Sequence, residues 1–124
     1  MAGSPHTGLK RLLSAISNSM AGLHAAWKNE EAFRQEVFLA IVLFPAAFWL
    51  GENSVQIVLL LVSVLLVLIV ELLNTCVEAT IDRIGHEYHE LSKRAKDIGS
   101  AAVGVSLATL LVVWGLIAYA KFFE

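Results

Sequence analysis

Apolar residues recur at helical spacing from the start of the chain. Leu9, Leu12, Leu13, Ile16, Met20, Leu23 and Trp27 fall at i, i+3, i+4, i+7, i+11, i+14 and i+18, which puts them on one helix face opposite Lys10, Arg11, Ser14, Asn18 and Lys28. This predicts an amphipathic helix over about residues 8–28, lying along a membrane surface. The pattern then changes. From Val37 to Leu50 the sequence is apolar throughout, and with the polar first turns from Ala32 to Glu36 the segment 32–50 is just long enough to span a bilayer. Pro45 is expected to kink it. Gly51, Glu52, Asn53 and Ser54 predict a tight turn. A second span is expected over 55–84 and a third over 96–120, with Gly85 to Arg94 as a polar connection between them. The fold class that follows is all-α integral membrane, one domain over residues 1–124: a surface helix and three transmembrane helices.

In the second span an apolar run from Val55 to Val70 gives way to Glu71, and Asn74, Glu78 and Asp82 follow it. At about 100° per residue these four side chains stay within roughly 80° of one another and form a single polar stripe. Carboxylates are costly in or near hydrocarbon, and those found there usually face a protein interior and mark ion, proton or substrate chemistry. The stripe is therefore the first candidate for an active site. A structural hydrogen-bond network between subunits is the competing reading.

Composition agrees with the membrane setting. A chain of 124 residues with 57% hydrophobic residues and a mean hydropathy of +0.70 is too apolar for an ordinary soluble domain. The net charge of −2 gives no case for a nucleic-acid partner. Cys76 is the one cysteine, so neither an intrachain disulfide nor a cysteine metal cluster is possible. Ser14, Ser17, Asn18 and Ser19 interrupt the residues after Lys10 and Arg11, so no cleaved export signal is expected.

Orientation follows from the basic residues. Lys10, Arg11, Lys28 and Arg34 precede the first span, and Arg83, Lys93, Arg94 and Lys96 surround the second connection, whereas the turn between spans one and two carries no Lys or Arg. The N-terminus and the second connection are thus expected to be cytoplasmic. Val55 to Val70 covers roughly 24 Å as a helix, which brings Glu71 out near the cytoplasmic interface. A site at that depth meets a water-soluble reactant from one side and a lipid from the other.

Three further clusters are expected at the same depth: Asn29 to Glu36, Glu87-Tyr88-His89-Glu90, and Lys96-Asp97. Carboxylates that hold magnesium, with Lys or Arg to offset phosphate charge, are what a metal-bound polyphosphate requires. No Gly-rich phosphate loop is present, so a nucleotide site here is built from helix ends. Each cluster also has a plainer reading. Glu30 and Arg34, four apart, suit a helix ion pair. Lys96 and Asp97 suit interfacial snorkelling and helix-terminal charge. His89 suits a solvated connection, and the Leu9 to Trp27 face suits simple membrane docking. Ser100, Gly104 and Ala108 form a small-x-x-x-small row fitted either to close helix approach or to generic packing.

The combination of Ala26-Trp27, Asn29-Glu30, Ala32-Phe33-Arg34-Gln35-Glu36, Val70-Glu71-Leu72-Leu73-Asn74, Val77-Glu78-Ala79, Asp82-Arg83-Ile84-Gly85, Glu87-Tyr88-His89-Glu90-Leu91-Ser92 and Arg94-Ala95-Lys96-Asp97 resembles the prokaryotic diacylglycerol kinase family, in particular its Gram-negative integral-membrane form. The resemblance implies a homotrimer of three-span subunits in the bacterial inner membrane, with active sites shared between subunits. It implies transfer of the γ-phosphate of MgATP to 1,2-diacylglycerol, giving phosphatidic acid, with Mg2+ as cofactor and ATP as co-substrate. By the same resemblance Glu71 is the catalytic base and Asn74 arranges the site, while Glu30 and Glu78 are the magnesium ligands. Arg11, Asn18, Glu87, Tyr88, His89, Lys96 and Asp97, together with Glu30 and Glu78, are implied as nucleotide contacts. Arg11, Glu31, Ala32, Phe33, Arg34, Gln35, Glu36, Trp49, Glu71 and Ser100 are implied to line the lipid-substrate pocket.

Physics and resemblance meet on mechanism. A primary alcohol is a poor nucleophile, so an aligned base and neutralised phosphate oxygens supply most of what in-line transfer needs. A proton-coupled transporter is the alternative from another class, but its key carboxylate belongs near the midplane, whereas these acids and Lys96 gather at one surface. A noncatalytic assembly protein needs no matched metal ligands. Within the family, an undecaprenol kinase performs the same chemistry on a polyprenyl alcohol, and the Gram-negative character of the motifs favours diacylglycerol.

Overall fold

Helix-favouring sequence between short breaks gives four α-helices: α1 (Gly8–Asn29), α2 (Glu31–Leu50), α3 (Ser54–Ile84) and α4 (Glu90–Phe123). The structure, a computed structural model, describes residues 7–124; residues 1–6, counted within the expected domain, lie outside the described residues. The chain forms two units, Met1–Glu31 and Ala32–Glu124.

In the first unit, α1 opens after Thr7 with Gly8 at a φ of 59°, a left-handed value that an L side chain rarely adopts. It ends where Glu30 turns extended, its N–H still bonded to Ala26 O at 2.9 Å. Asn29 donates from Nδ2 to Ala25 O at 2.9 Å, and Lys28 lies in the last turn. Both additions suit the unpaired carbonyls and negative end of a helix C-terminus. Leu9, Leu12, Leu13, Ile16, Met20 and Leu23 are all exposed on α1.

In the second unit, three helices are long and apolar enough to cross a membrane: Glu31–Leu50, Ser54–Ile84 and Glu90–Phe123. α2 runs unbroken through Pro45. At the turn that follows, Gly51 donates to Ala47 O at 2.9 Å, and a Cβ on Gly51 would lie 2.5 Å from Ile57 Cγ1. Only a residue without a side chain lets the chain turn this tightly. Asn53 then caps α3: its side chain accepts from Gln56 N at 3.0 Å, while Gln56 Oε1 accepts from Glu52 N at 2.9 Å. The first bond satisfies an amide donor that the helix start leaves unpaired, and the second pairs the Glu52 N–H just ahead of the cap.

α3 and α4 make the most extensive helix–helix packing. Ala40 of α2, Val64 and Val67 of α3 and Leu110 of α4 form one buried cluster, and Ala47, Leu50 and Leu60 form a second. Small residues on α2 (Ala40, Ala47) let the α3 side chains reach in. Trp114 joins both clusters and donates from Nε1 to Ser63 Oγ at 3.1 Å, while Ser63 donates to Leu60 O at 2.8 Å. Its polar edge is thereby paired in an otherwise apolar layer. At the far ends of α2 and α4, Lys121 donates from Nζ to Trp49 O at 2.9 Å and stands 4.4 Å from the centroid of the Trp49 ring.

The helix boundaries differ from expectation chiefly at α4, which begins at Glu90 and not near residue 96. His89 accepts from Leu91 N through Nδ1 at 3.1 Å, and Lys93–Asp97 and Glu90–Arg94 follow as i,i+4 ion pairs. Polarity in this stretch marks exposure, and it does not prevent helix formation. The irregular connection shrinks to Gly85–His89. Between 11% and 28% of the apolar windows of the three long helices is buried within the chain, so most of their apolar surface is available to lipid or to other subunits.

Candidate functional site

Three layers of polar residues lie along the last turns of α3 and the elements beside them. The innermost is Glu71, 3% exposed, a buried carboxylic acid on a helix that carries no charged residue from Ser54 to Val70. α2 brings Glu36 against it, and the two carboxyls share a side-chain hydrogen bond. The second oxygen of Glu36 is buried without a hydrogen-bond partner.

One turn further along α3 lies Asn74. It donates from Nδ2 to Glu78 Oε1 at 3.5 Å, a long bond that nonetheless aims the two oxygen-bearing groups together. Its Oδ1 is buried without a partner, as is Oγ1 of Thr75. α4 crosses close by: a Cβ on Gly99 would collide with Asn74 Oδ1. Gly99 thus permits the close approach of α4, and Asn74 sits at the helix crossing. An apolar cavity of about 450 Å³ opens beside it, lined by Val70, Leu73 and Val77 of α3 and by Ala95, Ile98 and Ala102 of α4. Buried side-chain oxygens without partners are rare in folded proteins, because each forfeits the free energy of its hydration. Among the described residues Glu36 Oε2, Asn74 Oδ1 and Thr75 Oγ1 are in this position, all beside Glu71. The single chain leaves this polar layer short of partners.

The outermost layer is built by the turn from α3 to α4. A cavity of about 240 Å³ is lined by Asp82, His86, Glu87, Tyr88, His89, Lys93, Lys96 and Asp97. It gathers Glu87, Tyr88, His89, Lys96 and Asp97, all expected from the sequence, into one place. Lys96 donates from Nζ to Asp82 Oδ1 at 2.9 Å across the two helices, and Lys93 to Asp97 Oδ2 at 2.7 Å within α4. Sequence reasoning placed Asp82 in the stripe but missed it as the counter-ion of Lys96, and it missed His86 and Lys93 as lining residues. The spacing of fourteen between Asp82 and Lys96 has meaning only once the helices are known to fold back on each other.

The remaining expected residues are distributed as follows. Arg11, Asn18 and Glu30 belong to the first unit, Arg11 and Asn18 exposed on α1 and Glu30 half-buried after its last turn. Glu31, Ala32, Phe33, Arg34, Gln35 and Glu36 form the first turns of α2, with Phe33 buried. Trp49 lies at the other end of α2 beside Lys121 and Phe122, roughly 20 Å along the helix from Glu36 at 1.5 Å per residue. Ser100 is exposed on α4, next to Gly99. Among the described residues no three His, Cys, Asp or Glu side chains cluster as a metal site. Magnesium, however, commonly takes one or two carboxylates and completes its shell with water and substrate phosphates. The carboxylate of Glu78 suits that partial donor set.

The model of the family described as prokaryotic diacylglycerol kinase matches residues 17–118. A diacylglycerol kinase of Haemophilus influenzae is 53% identical over 109 residues, covering 88% of this chain and 92% of its own. One of Escherichia coli strain K12 is 50% identical over 116 residues, covering 94% and 95%. One of Pseudomonas aeruginosa is 50% identical over 120 residues, covering 94% and 98%.

Proposed function

Because the chain belongs to the prokaryotic diacylglycerol kinase family, we propose that it transfers the γ-phosphate of MgATP to the primary hydroxyl of 1,2-diacylglycerol, giving phosphatidic acid. It is an enzyme, an ATP-dependent phosphotransferase. The observation that carries the finer reading is Glu71: a carboxyl only 3% exposed, in hydrogen-bond contact with a second carboxyl, at the head of a polar stripe on an apolar helix. Such an arrangement suits a base that takes a proton from a lipid alcohol away from bulk water.

In the proposed reaction Glu71 accepts the hydroxyl proton as the lipid oxygen attacks the γ-phosphorus. The new O–P bond forms in line with the bond that breaks to the β-phosphate, and ADP leaves. Lys96, with Glu87, Tyr88, His89 and Asp97 around it, receives the nucleotide. Glu78, with Glu30 supplied by a partner subunit, would hold magnesium while Asn74 arranges the site, and the bound ion would neutralise charge on the phosphate oxygens. The first turns of α2 from Glu31 to Gln35, with Ser100, line the glycerol end of the lipid. Trp49 lies at the level its acyl tail reaches.

A homotrimer with shared sites accounts for the partnerless oxygens and the sparse burial of the three long helices. The basic residues around the connection between α3 and α4 support a cytoplasmic position for that end, in the bacterial inner membrane, with α1 along its surface. The test is purified protein in mixed micelles with labelled ATP and magnesium, offered diacylglycerol and undecaprenol side by side. Label in phosphatidic acid is expected. Selective labelling of the polyprenol would instead make the protein an undecaprenol kinase, and label in neither lipid would remove the kinase reading.

A further inference from the structure

Lys96 is one of two lysines of the outer cavity, and it is already engaged. Its Nζ lies 2.9 Å from Asp82 Oδ1, on the opposite helix, and both side chains are about half exposed at 43% and 48%. The other charged pair of this cavity, Lys93 with Asp97, lies within one helix at 2.7 Å. Asp82 with Lys96 is different: it joins the last turn of α3 to the second turn of α4, across the Gly85–His89 connection. We propose that Asp82 is a positioning residue that holds Lys96 in the cavity as an exchangeable counter-ion, and that the polyphosphate of the incoming nucleotide displaces it. The proposal rests on the reading of this cavity as the nucleotide site.

Charge and geometry support the exchange. Lys has three donors on a compact ammonium group, so it can begin a contact with a phosphate oxygen before its bond to Asp82 is released. A polyphosphate carries several negative charges and outcompetes one carboxylate, yet Asp82 stays anchored on α3 and repels the anion that replaces it. The carboxylate therefore weakens ground-state binding of the nucleotide and favours its release, while keeping an otherwise mobile lysine aimed into the cavity. Because water reaches the pair, the repulsion is modest and is screened by salt. The groups facing the pair are His86 from the connection and Asp97 and Lys93 from α4.

The experiment is steady-state kinetics of the full-length protein in mixed micelles, varying MgATP at fixed diacylglycerol. Asp82→Asn is expected to lower the KM for MgATP about threefold at low ionic strength without raising kcat, the size of effect a partly exposed charge pair supports. The gain is expected to shrink with added salt. Asp82→Glu, which keeps the charge, is expected to return KM towards the parent value, whereas a merely structural role would leave both variants impaired. In the Lys96→Ala background Asp82→Asn is expected to give a smaller gain, since the partner has gone. An unchanged or raised KM for Asp82→Asn, with Lys96→Ala still raising KM, overturns the counter-ion proposal alone. A KM for MgATP unmoved by Lys96→Ala overturns the nucleotide-site reading beneath it.

Discussion

Replacing Gly99 with alanine adds one methyl group at the crossing of α3 and α4. The new Cβ collides with Asn74 Oδ1, so either Asn74 rotates away or α4 moves off. Rotation loses the 3.5 Å bond from Asn74 to Glu78, and a shift of α4 opens the packing between the two helices. The atom met is the far end of an Asn side chain, so rotation is the cheaper response and the cost lies at the low end for overpacking, about 1 kcal/mol. It is largely offset, because alanine is better than glycine in a helix interior by about 0.8–1.0 kcal/mol. Gly115→Ala on the same helix separates the two contributions, since a Cβ there meets nothing within 4 Å. The propensity gain is common to both variants, so the stability difference between them reports the collision, at about 1 kcal/mol. Thermal unfolding in detergent measures that difference, and lipid phosphorylation is followed in parallel. Turnover of Gly99→Ala is expected to fall by about tenfold or more, since about 1.4 kcal/mol of lost transition-state stabilisation corresponds to a factor of ten. Gly99→Ala and Gly115→Ala alike in both stability and turnover would refute the close approach at Asn74 and its importance to the site.

Other expectations follow from single contacts. Asn53→Ala removes the side chain that accepts from Gln56 N and is expected to cost about 0.5–2 kcal/mol in thermal unfolding; Asn53→Asp is expected to retain most of the cap. Trp114→Phe deletes the donor to Ser63 but leaves Ser63 bonded to Leu60 O, so a loss of only about 0.6 kcal/mol is expected, the average for polar contacts between membrane helices. Glu78→Gln is expected to raise the magnesium concentration needed for half-maximal turnover as well as to lower the rate. Titration of activity against free magnesium checks it, and an unaltered metal dependence would count against ligation by Glu78.

Much of the fold was legible because hydrophobic period and length report directly on helices. The amphipathic spacing of Leu9 to Trp27 matched a helix over Gly8–Asn29, and the apolar segments after Ala32 and Val55 matched α2 and α3 within one residue. α4 begins before the span that its apolar residues outline, because the polar stretch Glu90 to Arg94 is helical as well. Local ion pairs and the His89 cap hold that stretch helical without any hydrophobic face. Of the site, Glu71, Asn74, Glu78 and Asp82 were visible as a stripe because they share one helix. The meeting of Glu71 with Glu36, the crowding of Asn74 by Gly99 and the bond from Asp82 to Lys96 each join two helices. No period within a single segment carries such information. Gly99 in particular has no chemistry to attract notice; its role is the side chain it lacks.

Everything proposed for the reaction depends on the Glu71 carboxylate acting as a base, and Glu71→Gln keeps the shape of the side chain while removing its ability to accept the proton. The decisive measurement is phosphatidic acid formation by purified Glu71→Gln in mixed micelles, beside the parent protein and with assembly size checked by cross-linking. The expected result is an intact assembly with turnover reduced by about a hundredfold or more, the scale of a lost general base. An intact assembly that still phosphorylates diacylglycerol at a near-parent rate would contradict the account.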